Sequence, residues 1–288
     1  MPSPAVARQV VALALVCAAA VSCASSVRRA VAPPAGQVAG SVDLLANPEA
    51  TVVQVIGFHL PEGAEPAWIA ACRRLARAAT AAGLDANWLI HRRSDEEYYL
   101  VSFGSREEFA DPASVVAGFA RRGGVKLADA LAELHAVPYE AHDEIWEQHE
   151  AWSTTAEMNS LTHPGVDQRT YHFAAGDFAA ADLVLTGMAE LLARAGYPYP
   201  TEGFHVSGSA GAATVVLQVV TFFGDRDDYR ARGRPAAYLA ARGLEPEWRA
   251  LENRLVALAT SRDRSESRYV HELSYDPWLA AQENEEGS

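Results

Sequence analysis

Phe103-Gly104-Ser105-Arg106-Glu107-Glu108-Phe109 returns 120 residues later as Phe223-Gly224-Asp225-Arg226-Asp227-Asp228-Tyr229. Each copy follows a run of apolar, β-branched or aromatic residues (Tyr98 to Ser102, Thr214 to Phe222) and leads into an alanine-rich stretch. The pattern F-G-x-R-x-x-[FY] therefore reads as the corner where a strand gives way to a helix, made twice. Glycine supplies the tight turn, and the acidic pairs behind it suit the positive end of a helix dipole. Arg106 and Arg226 could clamp a carboxylate or phosphate, but pairing with the adjacent acids is the simpler reading.

Outward from the first corner, Val52 to Leu60 (VVQVIGFHL) is apolar at nearly every position, which predicts a strand buried on both faces. Pro66 to Ala82 carries Trp68, Ile69, Cys72, Leu75 and Ala79 at helical spacing and stops at Gly83. Ala86 to His91 and Tyr98 to Phe103 are the next strands. A helix to about Arg122 follows, then a helical stretch from Leu127 that Pro138 interrupts, with Trp152 to Met158 as the fourth strand. Ser160 to Gln168 contains Pro164-Gly165 and reads as a linker.

The order then restarts. Strands are expected at Arg169–Ala174, Gly203–Ser207, Thr214–Phe223 and Arg268–Tyr275, with helices at Ala179–Ala195, Pro235–Arg242 and Pro246–Ser261. Phe58-His59 falls on Tyr171-His172 at an offset of 113, Trp88 on Phe204 at 116, and the signature on itself at 120. Insertions in turns are what a duplicated fold tolerates.

The order β-α-β-β-α-β is the ferredoxin-like split unit. Two such tandem units with doubly buried strands resemble the dimeric α/β-barrel superfamily, which includes antibiotic-biosynthesis-type monooxygenases. The resemblance implies an α+β fold in which both ferredoxin-like repeats lie on one chain and close their sheets into an intramolecular barrel, helices outside. It covers about residues 51–276, in repeats 51–159 and 169–276 joined by linker 160–168, with 277–288 an acidic tail. It carries no catalytic motif, and that fold hosts many activities.

The N-terminus carries an address. Val10 to Val21 is an unbroken apolar run, too short to span a bilayer but suited to a signal-peptide core. Ala20-Val21-Ser22-Cys23 resembles the bacterial lipobox, which implies a signal peptide over 1–22, lipidation at Cys23 and a tether over 23–50. Ala20 departs from the usual leucine. Cleavage after Ala24, giving a soluble secreted protein, stays open, as does an uncleaved anchor. The expected address is a membrane-anchored lipoprotein of the periplasm or cell envelope. With Cys17 removed and Cys23 lipidated, Cys72 stands alone, expected as a buried thiol. A formal charge of −13 and no basic stripe longer than Arg121-Arg122 argue against nucleic acid as a partner.

The candidate pocket residues are His59, His172, Trp88, Phe204, His91 and His205. His59 and His172 would stand at one barrel rim as proton donors, acceptors or ligands, or simply end their strands. Trp88 and Phe204 would be an equivalent aromatic pair, core or pocket wall. His135, His142 and His149 recur every seven residues. On one helix that is about 10.5 Å of rise, too far to share a metal, so a solvated acidic helix is expected and no metal site. No nucleophile elbow, Walker sequence or haem-attachment motif occurs. The leading expectation is thus an exported envelope protein that binds a small ligand or serves an accessory role without cofactor. The alternatives are a cofactor-poor monooxygenase or isomerase of the dimeric-barrel type, and a haem-binding member using one of these histidines.

Overall fold

The computed structural model describes residues 52–84, 87–94, 96–104, 112–154, 160–207 and 214–275, without the side chains of 103–123. The expected signal segment, the tether with Cys23, and Arg106 lie outside the described residues. The chain runs β1 (Val52–His59), α1 (Glu65–Ala82), β2 (Leu89–Arg92), β3 (Glu97–Gly104), α2 (Pro112–Ala136) and β4 (Glu140–Gln148). It continues as β5 (Gly165–Ala174), α3 (Phe178–Arg194), β6 (Thr201–Ser207), β7 (Thr214–Phe223), α4 (Pro235–Ala240), α5 (Glu245–Leu258) and β8 (Ala259–Tyr269).

The eight strands close into one barrel in the order β1-β3-β2-β8-β5-β7-β6-β4, and every pairing is antiparallel. β1 is buried at every position but His59, because it has packed side chains on both faces. One face looks into the barrel, where Val53 and Val55 meet Trp146, Val166, Phe204, Val220 and Phe222. The other lies under α1, where Ile56 and Phe58 pack with Trp68, Cys72 and Leu75. A matching layer in the second half joins Tyr171 and Phe173 to Leu185, Met188, Leu192 and Leu255. Cys72 is free and buried as expected, and burial pushes its thiol well above the usual range.

Two strands stand where helix or loop was expected. Glu140–Gln148 is the strand that follows α2; of the expected Trp152–Met158, Trp152 sits in a single 3₁₀ turn and residues 155–158 lie outside the described residues. The helix carrying the seven-residue histidine repeat therefore does not exist: His135 ends α2, His142 is on β4, and His149 stacks on Trp152 at 4.0 Å. The last strand is Ala259–Tyr269, which takes over the end of the helix expected to reach Ser261 and precedes most of Arg268–Tyr275. β5 likewise begins at Gly165, inside the expected linker. Both β4 and β8 are polar, with residues of low strand propensity. Pairing on both sides, with β1 and β6 or with β2 and β5, outweighs that.

The pairing registers allow the two halves to be laid on one another with inward-facing residues matched. Val55 faces Val101, which faces Leu89. Gln168 faces Val220, which faces Glu202. Residues of β1 and β2 thus correspond to those 113 further on, and residues of β3 to those 119 further on. Phe103, opposite Val53, corresponds to Phe222 opposite Val166, not to Phe223. Trp88 does not correspond to Phe204; His91 does.

The described copy of the signature is a self-packed corner. Phe223 stacks on Tyr229 at 4.4 Å and 3°, and the Asp225 carboxylate caps the intervening turn by accepting from the Asp228 N–H at 2.6 Å. The Tyr229 hydroxyl donates to buried Asp167 at 2.7 Å. Arg226 pairs with Glu266 at 3.1 Å, not with the acids beside it. Gly224 has no positive φ. A Cβ there would meet the Thr162 carbonyl oxygen at 3.0 Å, so close approach, not turn geometry, favours glycine.

Candidate functional site

Alternation along the strands decides what faces the barrel axis. Leu89 and His91 of β2, Tyr99 and Val101 of β3, Gln168 of β5, Glu202 and Phe204 of β6 and Ser267 of β8 join the interior aliphatic and aromatic residues around a cavity of about 50 Å³. That is several times the space one water needs, roughly 10–15 Å³. It is far below the roughly 300–1,000 Å³ of sites for drug-sized ligands. The lining is mostly apolar, so each polar group in it stands out.

Glu202 is the group that sequence reasoning missed. It is part-buried, and among the described residues it makes no hydrogen bond or ion pair. Burial pushes its carboxyl up to about 7, because charge is disfavoured away from water and nothing there compensates it. His91 is 5% exposed and its Nδ1 is buried with no hydrogen-bond partner. Burial pushes this imidazole down to about 4, so it is neutral at pH 7. β2 and β6 are four places apart in the ring of eight strands, so the two groups line the cavity from opposite walls. On β7, Gln218 accepts hydrogen bonds from Gln168 at 2.9 Å and Thr170 at 2.7 Å.

Of the six expected pocket residues, the structure brings His91 and Phe204 into this cavity. Trp88 points to the opposite face of β2, under α1, with its indole N–H donating to the Leu273 carbonyl at 3.2 Å. His205 faces outward against Phe178 at 6.0 Å. His59 and His172 lie on β1 and β5, again four places apart in the ring, and neither lines this cavity. His142 is nearer the mouth, its ring lying over Gly57; a Cβ at Gly57 would come within 2.2 Å of it.

The signal for Glu202 was present. In Thr201-Glu202-Gly203-Phe204-His205-Val206, the carboxylate shares the phase of Phe204 and Val206. A strand begun at Gly203 left it out.

Haem does not fit the expected histidines. A macrocycle needs a slot of roughly several hundred cubic ångströms, whereas the cavity reached by His91 is about 50 Å³. Neither His59 nor His172 lines that cavity. Among the described residues no three His, Cys, Asp or Glu side chains gather as a metal site requires.

No protein-family model matches the chain, and no curated protein matches it either. Solved structures do. A provisionally named monooxygenase from Fusobacterium nucleatum is similar at 9% identity and a TM-score of 0.49, over 76% of this chain and 92% of that one. One from Lactobacillus acidophilus is similar at 8% identity and 0.49, over 79% and 96%. An anthrone oxidase-like protein is similar at 10% identity and 0.43, over 76% and 92%. These are members of the dimeric α/β-barrel fold. At such identities and scores the likeness concerns the path of the chain and carries no argument about chemistry. The expectation of an accessory envelope protein is corrected: the proteins found are named as monooxygenases and an anthrone oxidase-like protein, none as an envelope protein.

Proposed function

We propose that the protein is a cofactor-poor enzyme of the dimeric-barrel type, with two tandem ferredoxin-like units on one chain, that moves a proton on a small, largely apolar substrate inside the barrel. The Glu202 carboxyl, without a partner among the described residues and poised at about 7 in an apolar cavity, carries this reading. A general base works best when its pKa lies near the operating pH, and a carboxylate short of hydrogen bonds and water is a stronger base than an exposed one. Glu202 takes a proton from an activated C–H or O–H, forming the Glu202 O–H bond as the substrate keeps the electron pair. It returns the proton at another atom of the same molecule. That isomerisation balances without oxidant or reductant. His91, neutral and with a ring nitrogen lacking a partner, hydrogen-bonds the oxygen on which the charge collects.

Cavity size restricts the substrate to a few non-hydrogen atoms at the reacting end. A panel of small enolisable carbonyl compounds and phenols, incubated in D₂O and followed by proton NMR, tests the reading. Deuterium should enter at least one compound catalytically, and Glu202→Gln should slow this by about a hundredfold or more, as loss of a general base does. Equal exchange by Glu202→Gln would overturn it. Oxygen uptake dependent on the same compound would make the reaction an oxygenation, with dioxygen as co-reactant.

A further inference from the structure

Neighbouring strands of the barrel share four or more residue pairs everywhere but at one place. β2 and β8 share two, His91 with Tyr269 and Arg92 with Arg268. Beyond Tyr269 the chain is fastened to β2 again, by the Val270 N–H on the Ile90 carbonyl at 2.8 Å and by the Trp88–Tyr275 bridge. In the other direction β2 turns back into β3 through Arg93 and Ser94. There β8, from Ala259 to Ser267, pairs with β5 alone among the described residues. A closed barrel has no free edge, so a wall held by two pairs is where it parts at least cost.

This seam has the cavity on one side and a surface hollow on the other. Leu89, His91 and Ser267 of the two strands line the cavity. Outside lies a hollow of about 670 Å³, bordered by Arg93, Tyr98, Leu161, Arg268 and Tyr269. Two of its side chains also touch residues of the cavity wall. Tyr269, 7% exposed, packs on Leu89 and Val101, and its ring stands 5.8 Å from that of His91. Arg93 donates to the Tyr99 hydroxyl at 3.0 Å and lies 3.3 Å from Glu97. The Arg93 contacts are exposed and cheap to break; the buried phenol is the larger obstacle. We propose, on the reading of Glu202 as the reacting group, that a substrate enters sideways from the hollow through the β2–β8 seam, and that Tyr269 sets the largest reacting end admitted.

Xenon enters apolar cavities without chemistry, so xenon-129 NMR of the whole protein reads the route by itself. Bound xenon should exchange with solvent at least about tenfold faster in Tyr269→Ala, whose path has lost a buried aromatic ring. That variant should also bind benzene, which fits a cavity of roughly 150 Å³, while the wild type, at about 50 Å³, should not. Arg92→Cys with Arg268→Cys tests the seam at two exposed positions. Directly opposite residues lie about 4.5–5.5 Å apart, within reach of a disulfide. Oxidation, checked by mass, should slow xenon exchange about tenfold, and reduction should restore it. His142→Ala, at the mouth over Gly57, should leave exchange unchanged. Absence of bound xenon from wild type and Tyr269→Ala alike, exchange indifferent to the disulfide, or faster exchange in His142→Ala would each overturn the proposal. Xenon entry makes no use of Glu202, so a protein that admits xenon by the seam yet moves no deuterium fails only as an enzyme.

Discussion

Two ionisable side chains face the barrel cavity from opposite walls, and burial drives them in opposite directions. The sign of each effect on stability follows. His91 folds as the neutral form, so the unfolded chain binds more protons between about 4 and 6.5, and stability rises with pH across that window. Glu202 folds protonated up to about 7 against an ordinary 4.5, so stability falls as pH rises through its window. Each effect is worth up to about 3 kcal/mol, because a tenfold change in proton affinity corresponds to about 1.4 kcal/mol. The two slopes largely cancel in the intact protein. Single changes should expose them in urea-unfolding series from pH 4 to 8. Glu202→Gln should gain about 2–3 kcal/mol at pH 8, while His91→Phe, copying Phe204 at the corresponding place, should gain at pH 4–5 and lose stability more steeply towards pH 7. Flat profiles in both variants would show the two groups to be ordinarily solvated.

At the scale of elements, the repeated signature is a packing device. Its aromatic positions, Phe223 and Tyr229, stack on one another, and Tyr229 is fully buried against Asp167. Its arginine is an exposed partner of Glu266. Phe223→Ala should cost about 3–5 kcal/mol in chemical denaturation, as loss of a buried aromatic does, and Arg226→Ala less than about 1 kcal/mol. Comparable losses would mean that the corner is held by charge. The buried strands were legible because apolar runs bounded by glycine and proline leave little ambiguity, as at Val52–His59. β4 and β8 were not. Glu140–Gln148 and Ala259–Tyr269 are strands because neighbours on both sides require them, and no local pattern announces that. Anchoring the halves on Phe103 and Phe223 was out by one residue, and a shift of one exchanges the faces of a strand. His91 and Phe204 were therefore singled out without their correspondence being seen, and Glu202 was passed over.

At the scale of the molecule, the cavity exists only because the two halves close on each other. Val53, Val55, Leu89, His91 and Val101 come from the first half, and Gln168, Glu202, Phe204, Val220 and Ser267 from the second. The seam is narrow between β2 and β8, where only His91–Tyr269 and Arg92–Arg268 pair, and wider between β4 and β6. Glu202 is deprived of water by residues it would not meet if the halves stood apart. Its ionisation therefore reports both the closed barrel and the acid–base role assigned to it. The most direct measurement is a carbon-13 NMR titration of the Glu202 carboxyl in the whole folded protein. A midpoint at about 7 is expected; a midpoint near 4.5 would contradict both the desolvation of this carboxyl and the chemistry placed on it.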